Sequence, residues 1–221
     1  MKGVIFDWDG VVIDSSAEHK LAWEILSDEI SRPLFAGHFK LGFGKKNEVI
    51  ISEILRWSDD PPMIEKLAHR KESIYRALVQ KRGAQILPGA RELLAALRAE
   101  SVPRAIGSST PRENLEAIFS ATGLGEFFDA VACGDDVVNG KPDPDVFLLA
   151  AQKLALAPAD CLVIEDAHAG IEAAHRAGMP VLAVATTNPI SQLGAATGAL
   201  DSLVGATPSL LREIHSLVSR G

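Results

Sequence analysis

At 221 residues, with 47% hydrophobic and 23% charged side chains, the chain has ordinary globular composition and length for one large domain or a domain plus an insert. Its net charge of −7 argues against a nucleic-acid surface, while leaving room for a small anionic substrate held by local cations or one metal ion. Cys133 and Cys161 fall in apolar runs without a disulfide or zinc pattern, and no apolar run reaches membrane-spanning length.

The first element is Val4-Ile5-Phe6-Asp7-Trp8-Asp9-Gly10-Val11, an apolar run ending in two carboxylates and a glycine. A strand ends this way where its carboxyl end floors a reaction site, although a polar turn produces the same pattern. If the strand continued, Asp7 and Asp9 would share one side. A break at Gly10 lets Asp7 face an ion while Asp9 swings toward a substrate, and two such acids can divide into nucleophile and general acid. This strand begins at residue 2, which leaves no room for a signal peptide, so a soluble, cytoplasmic protein is expected; a monomer is expected too, although nothing in the sequence reads out oligomeric state.

Residues 15–86 read as consecutive helices at 17–30, 46–57 and 62–82, an inserted cap or lid with hinges near 14–16 and 86–88. From residue 87 helix and strand alternate. Helices are predicted at 88–98, 111–122, 143–156, 168–177 and 208–219, and strands at 102–107, 128–133, 161–164 and 181–184. Gly123 and Gly178 stop two helices, and Pro111 and Pro208 suit first turns. The pattern implies an α/β fold, a doubly wound, Rossmann-like parallel sheet formed by residues 1–14 and 87–221, with the helical cap at 15–86.

Residues past the carboxyl ends of parallel strands converge on one crevice. Ser108, Ser109 and Thr110 follow one strand and precede a helix, where they can bind phosphate or cap the helix. Lys141, between Gly140 and Pro142, can aim a charge at a phosphoryl group or be solvated. Glu165 and Asp166 end a second apolar strand, and Asp166 with Asp7 offers the hard oxygen ligands that Mg²⁺ prefers. Gly170 allows the next helix to pack closely.

In order and spacing, Asp7-x-Asp9-Gly10-Val11, Ser108, Lys141-Pro142 and Glu165-Asp166-x-x-x-Gly170 resemble the haloacid dehalogenase superfamily over essentially the whole chain. The inserted helices are similar to the subfamily with a small helical cap, which includes phosphoglycolate and sugar phosphatases and β-phosphoglucomutase. The resemblance implies that Asp7 attacks phosphorus to form an aspartyl-phosphate, and that Asp9 protonates the leaving oxygen and then deprotonates water. Ser108 and Lys141 would hold the phosphoryl group. Asp7, the Asp9 carbonyl and Asp166 would bind Mg²⁺, with Glu165 in the metal's surroundings.

The founding dehalogenases lack the second acid of the first motif, so Asp9 points to phosphate esters of small metabolites. His19 and Lys71 resemble residues of the mutase cap, where the histidine gates the acid; His19 also fits an ordinary amphipathic helix. The loop Gly42-Phe43-Gly44-Lys45-Lys46-Asn47-Glu48 lacks the mutase arginine. Lys45 and Lys46 supply its charge without its bidentate geometry, or form a solvated pair. Gly44, Lys45, Lys46, His19, Lys71, Ser109 and Thr110 are therefore the expected substrate contacts. A phosphatase is the expected activity, with a phosphomutase or a non-catalytic phosphate-sensing module as alternatives.

Overall fold

The computed structural model describes residues 1–42 and 45–218. Strand β1 (Gly3–Phe6) is wholly buried, with Val4 and Phe6 in one apolar core and Ile5 in a second. After a tight turn, β2 (Ile13–Asp14) leads into the helical insertion of α1 (Ser16–Ile30), α2 (His38–Gly42), α3 (Asn47–Val49), a π-helical turn at Ile50–Ile54, and α4 (Pro61–Arg82). Helix α4 begins where the Asp60 carboxylate accepts the Met63 amide at 3.3 Å, with Pro61 in its first turn. Its inner face is Leu67, Lys71, Ile74 and Tyr75, at helical spacing and buried with Trp23 and Leu26 of α1. A lysine in that apolar stripe is unusual.

Strand β3 (Gln85–Ile86) returns antiparallel to β2, pairing Ile13 with Ile86 and Asp14 with Gln85, so a short ribbon roots the insertion. The chain continues through α5 (Ala90–Ala99), β4 (Arg104–Gly107), α6 (Arg112–Thr122), β5 (Ala130–Ala132) and α7 (Asp145–Lys153). It ends with β6 (Cys161–Glu165), α8 (His168–Arg176), β7 (Val181–Val184), β8 (Gly198–Leu200) and α9 (Pro208–Val218). The sheet is parallel in the order β5-β4-β1-β6-β7-β8. One core takes side chains from α5, α6 and α9, and the other from α7 and α8, which gives helices on both faces. Because the chain builds outward from β1 to β4 and β5, then crosses back to β6, the strand order reverses at β1. A crevice opens above its carboxyl end.

Several predicted spans contract. The strands expected at 102–107 and 128–133 begin at Arg104 and Ala130, and the helix expected at 143–156 stops at Lys153, before Ala155 at φ 56°. The helix expected at 46–57 is α3 plus the π-helical turn, followed by Arg56 at φ 52°. Pro111 is the residue before α6, extended at ψ 148°, so it caps the helix instead of entering its first turn. The ribbon β2–β3, helix α2 and edge strand β8 are additions. Among the described residues no helix is long and apolar enough to cross a membrane.

Candidate active site

Asp7 is the last residue tied to the sheet, its amide donating to Ile164 at 2.9 Å. Trp8 then turns inward to full burial against Phe119 and Phe128, and its carbonyl accepts from Val12 and Ile13. With Trp8 anchoring the turn, Asp7 and Asp9 both line the same cleft. Gly10 completes the turn at φ +82°, where a Cβ would lie 2.0 Å from Asp166 Oδ2. A side chain is excluded there by both backbone conformation and space.

Lys141 Nζ donates to Asp7 Oδ1 at 2.7 Å and to Glu165 Oε1 at 2.8 Å, and lies 4.5 Å from the Phe147 ring centroid. Glu165 Oε2 accepts from the Asp166 and Ala167 amides, both at 2.6 Å. Its carboxylate rests against Gly170, where a Cβ would come within 1.7 Å of Oε1. The close packing anticipated for Gly170 is thus packing against Glu165 itself. Asp166 accepts the Thr187 hydroxyl, Asn188 Nδ2 donates to the Asp166 carbonyl at 3.1 Å, and the Thr186 hydroxyl donates to the Gly10 carbonyl.

One oxygen from each of Asp7, Glu165 and Asp166 lies within 4.8 Å of the others, all three residues buried. Burial raises the Asp7 pKa to about 7, against the pull of Lys141 and with a push from Glu165. Burial, then Glu165 and Asp7, likewise raise Asp166. Lys141 is held charged because Asp7 and Glu165 outweigh the cost of burial. Three carboxylates facing one ammonium leave negative charge uncompensated, and an all-oxygen donor set of this kind fits a hard divalent cation such as Mg²⁺. The Asp9 carboxylate is not part of this cluster.

Asp9 instead accepts hydroxyl hydrogen bonds from Ser15 on Oδ1 and Thr110 on Oδ2. The sequence assigns Thr110 to phosphate; the structure places its hydroxyl on Asp9. Ser108 Oγ accepts the Thr110 amide at 3.1 Å, which shapes the bend into α6. Ser108 and Ser109 line the cleft, and the Ser109 carbonyl packs over Gly134.

His19 stacks on Tyr75 with 3.9 Å between ring centroids, and its Nε2 lies 4.0 Å from Asp9 Oδ1. Lys71 Nζ is 2.6 Å from His19 Nδ1 and 2.8 Å from Glu72 Oε1. Burial, then the neighbouring Lys71 ammonium, push the His19 pKa down to about 4, so the ring is neutral and its Nδ1 accepts from Lys71. Lys45 and Lys46 line the mouth of the cleft. Lys46 Nζ donates to the Val138 carbonyl at 3.3 Å, on the loop that leads to Lys141. Gly44 and Phe43 lie outside the described residues. Together the two halves enclose a cavity of about 830 Å³ that reaches Asp7, Asp9, Ser108, Lys141 and Lys71.

Sequence reasoning missed Ser15, Thr186, Thr187, Asn188, Asn47, Glu72 and Asn114. The threonines had a usable signal, since they follow an apolar strand as Asp7 and Asp166 do. Glu72 and Asn114 had none, because their partnership spans 42 residues.

Residues 1–178 match the haloacid dehalogenase-like hydrolase family. A chloroplastic 5-amino-6-(5-phospho-D-ribitylamino)uracil phosphatase of Arabidopsis thaliana is 38% identical over 198 residues, 88% of this chain and 52% of that protein. The chain thus spans about half the length of that relative. A β-phosphoglucomutase of Bacillus subtilis is 34% identical over 220 residues, covering 97% of this chain and 93% of the other. Among solved structures, a family IA hydrolase from Entamoeba histolytica superposes with a TM-score of 0.89 at 28% identity, covering 98% of this chain and 100% of that one.

Proposed function

The chain belongs to the haloacid dehalogenase-like hydrolases, and we propose that it is a Mg²⁺-dependent phosphatase acting on a small phosphorylated metabolite, of sugar-phosphate type, through an aspartyl-phosphate on Asp7. The observation that carries this reading is the joining of Asp7 to Lys141, beside Glu165 and Asp166, on a cavity that Asp9 also lines.

Lys141 fixes one oxygen of Asp7 and sets a positive charge beside the site of attack. Asp7 forms an O–P bond while the bond from phosphorus to the leaving oxygen breaks, and Asp9 gives that oxygen its proton. Asp9 then takes a proton from water as the water oxygen attacks phosphorus, and the Asp7–phosphate bond breaks to release phosphate. Ser108 orders the bend above the phosphoryl position. Asp7, the Asp9 carbonyl and Asp166 would hold Mg²⁺, with Glu165 in its surroundings, and the ion would neutralise phosphoryl oxygens. Ser15 and Thr110 fix the orientation of Asp9 from two different segments.

A second reading, a phosphomutase, is favoured by the approach of His19 to Asp9 and by the similarity to the B. subtilis mutase along nearly the whole chain. Turnover on a panel of sugar phosphates, phosphoglycolate and nucleotides, followed for free phosphate and for isomerised sugar phosphate, separates the two. Stoichiometric phosphate release that is lost in Asp7→Asn supports the phosphatase. Isomerisation of β-glucose 1-phosphate to glucose 6-phosphate with little free phosphate replaces it with the mutase.

A further inference from the structure

On the inner face of α4, Glu72 is a buried carboxylate held by three elements at once. Its Oε1 accepts from Lys71 Nζ at 2.8 Å and from Asn47 Nδ2 at 2.6 Å. Its Oε2 accepts from Nδ2 of Asn114, a fully buried residue in the first turn of α6, at 2.5 Å. Asn114 Oδ1 in turn accepts from Arg76 Nη1 at 3.1 Å, and Arg76 pairs with Glu113 at 2.9 Å. Glu72 is therefore locked to both the helical insertion and the sheet domain.

Its effect falls on Lys71. That ammonium is buried in the cap half of the cavity, 5.4 Å from the Trp23 ring centroid and 5.6 Å from that of Tyr75. With Glu72 absent it would be an unopposed buried cation within reach of a bound molecule, where an anion is attracted far more strongly than in water. With Glu72 present, two of its N–H groups are spent on Glu72 and His19, and its charge is cancelled at close range. Burial would raise the Glu72 pKa and lowers that of Lys71, but the adjacent Lys71 ammonium and the Asn47 amide hold Glu72 at about 2, so its carboxylate stays ionised against Lys71. Packing does not demand such a pair, since apolar residues of similar volume fill a core at least as well. Of the other cap lysines lining the cavity, Lys40 and Lys45 are exposed, where solvent screens them, and the half-buried Lys46 turns its ammonium to the Val138 carbonyl.

We infer that Glu72 is a specificity residue: by occupying Lys71 it makes the buried cap half electrically neutral, so the enzyme takes phosphomonoesters whose leaving group is uncharged and hydroxyl-bearing and disfavours a second phosphoryl group. This inference rests on the phosphatase reading and adds the chemical class of the leaving group. Hydroxyls suit the site because it offers a donor in Lys71 and an acceptor in Glu72 side by side.

The test is kcat/KM, with Mg²⁺, for three matched pairs: glucose 1-phosphate and glucose 1,6-bisphosphate, fructose 1-phosphate and fructose 1,6-bisphosphate, and ribulose 5-phosphate and ribulose 1,5-bisphosphate. The native enzyme is expected to favour the monophosphate of whichever pair it turns over by at least tenfold. Glu72→Gln, which keeps an oxygen for Lys71 and Asn47 but removes the charge, is expected to move that ratio toward the bisphosphate by tenfold or more. A native enzyme that prefers a bisphosphate overturns the inference, as does a folded Glu72→Gln protein that loses both activities equally. Should Glu72→Gln not fold, the native ratio decides alone. Absence of phosphate release from every phosphate ester tried, with native protein and Mg²⁺, refutes the phosphatase reading itself.

Discussion

Thr110 and Asp9, 101 residues apart in the chain, are joined by a hydrogen bond from the threonine hydroxyl to the aspartate carboxylate. An acid that must deliver a proton to one oxygen depends on its orientation as much as on its protonation. Thr110→Val should lower kcat roughly tenfold with little change in KM, because the phosphoryl contacts proposed for Lys141 and Ser108 remain. Thr110→Ser, which restores the hydroxyl, should recover most of the rate. Steady-state kinetics on any turned-over substrate decides it, and equal activity in Thr110→Val would remove the positioning role.

Replacing Asp9 itself separates acid catalysis from nucleophilic attack. Asp9→Asn should cut turnover of an alkyl phosphate by about 10²–10⁴, the usual size of a general-acid contribution. With p-nitrophenyl phosphate the leaving oxygen needs no proton, so formation of the phosphoenzyme should fall much less. Burst measurement of p-nitrophenolate reads that first step directly; an equal loss with both substrates would contradict the assignment of the proton to Asp9.

Metal binding should depend on pH in a defined direction. The Asp7 pKa, raised by burial to about 7, lies above its ordinary 3.8, so the metal-free protein retains a proton between those values that the unfolded chain has lost. That proton's stabilising effect is complete below about pH 4 and is lost as pH rises through about 7. Mg²⁺ needs the ionised carboxylate and must displace the proton. With Asp166 raised by burial as well, affinity should therefore rise at least about tenfold per pH unit below pH 7. Titration calorimetry at pH 6 in two buffers of different ionisation enthalpy should detect about one released proton from Asp7, and more where Asp166 also gives one up. A flat affinity from pH 6 to 8 would exclude the coupling.

His19 gives the opposite slope. Its pKa falls from 6.5 to about 4, mainly by burial and then by the Lys71 charge, so the unfolded state binds more protons in that window. Stability from this group is complete above pH 6.5 and declines as pH drops toward 4. His19→Gln, which keeps an acceptor for Lys71, should lack this component. The difference in unfolding free energy between native protein and variant should shrink by on the order of 2–3 kcal/mol from pH 7 to pH 4. Urea denaturation at both pH values measures it.

Two glycine substitutions should part stability from activity. Gly170→Ala places a methyl where the Glu165 carboxylate sits, so it should cost about 2–4 kcal/mol and disturb Lys141 with it, lowering kcat strongly. Gly178→Ala meets only the strain of φ +70° in open space and should cost about 1 kcal/mol with full activity. Melting curves and kinetics of the two proteins make the comparison.

Asp7, Glu165 and Asp166 read most clearly in the sequence because each places a charge where an apolar run stops, whereas Lys141 reads only from its place between Gly140 and Pro142. Thr187 sits by the same rule after β7, but an uncharged hydroxyl there looks like any turn residue. Helix boundaries marked by Gly123 and Gly178 were legible because those glycines take up left-handed backbone, at φ +69° and +70°. Strand β8 was not, since Gly198-Ala199-Leu200 has neither a β-branched residue nor deep burial. Glu72 gave no warning: a charged residue beside Lys71 on a long helix resembles a solvated surface pair until Asn47 and Asn114 are seen closing over it.

The central position of β1 carries a consequence for how the protein emerges from the ribosome. Val4 and Phe6 pair with Arg104 and Ile106 on one side and with Leu162 and Ile164 on the other. Strand β1 must wait, unpaired on at least one edge, until the chain through β6 has been synthesised. Helices α1 and α4, whose contacts are closer in sequence, are free to associate earlier. The Asp7 carboxylate at the end of β1 is thus translated well before Glu165 and Asp166 and set in place late, so a chain truncated before β6 has Asp7 without the two carboxylates that cluster with it.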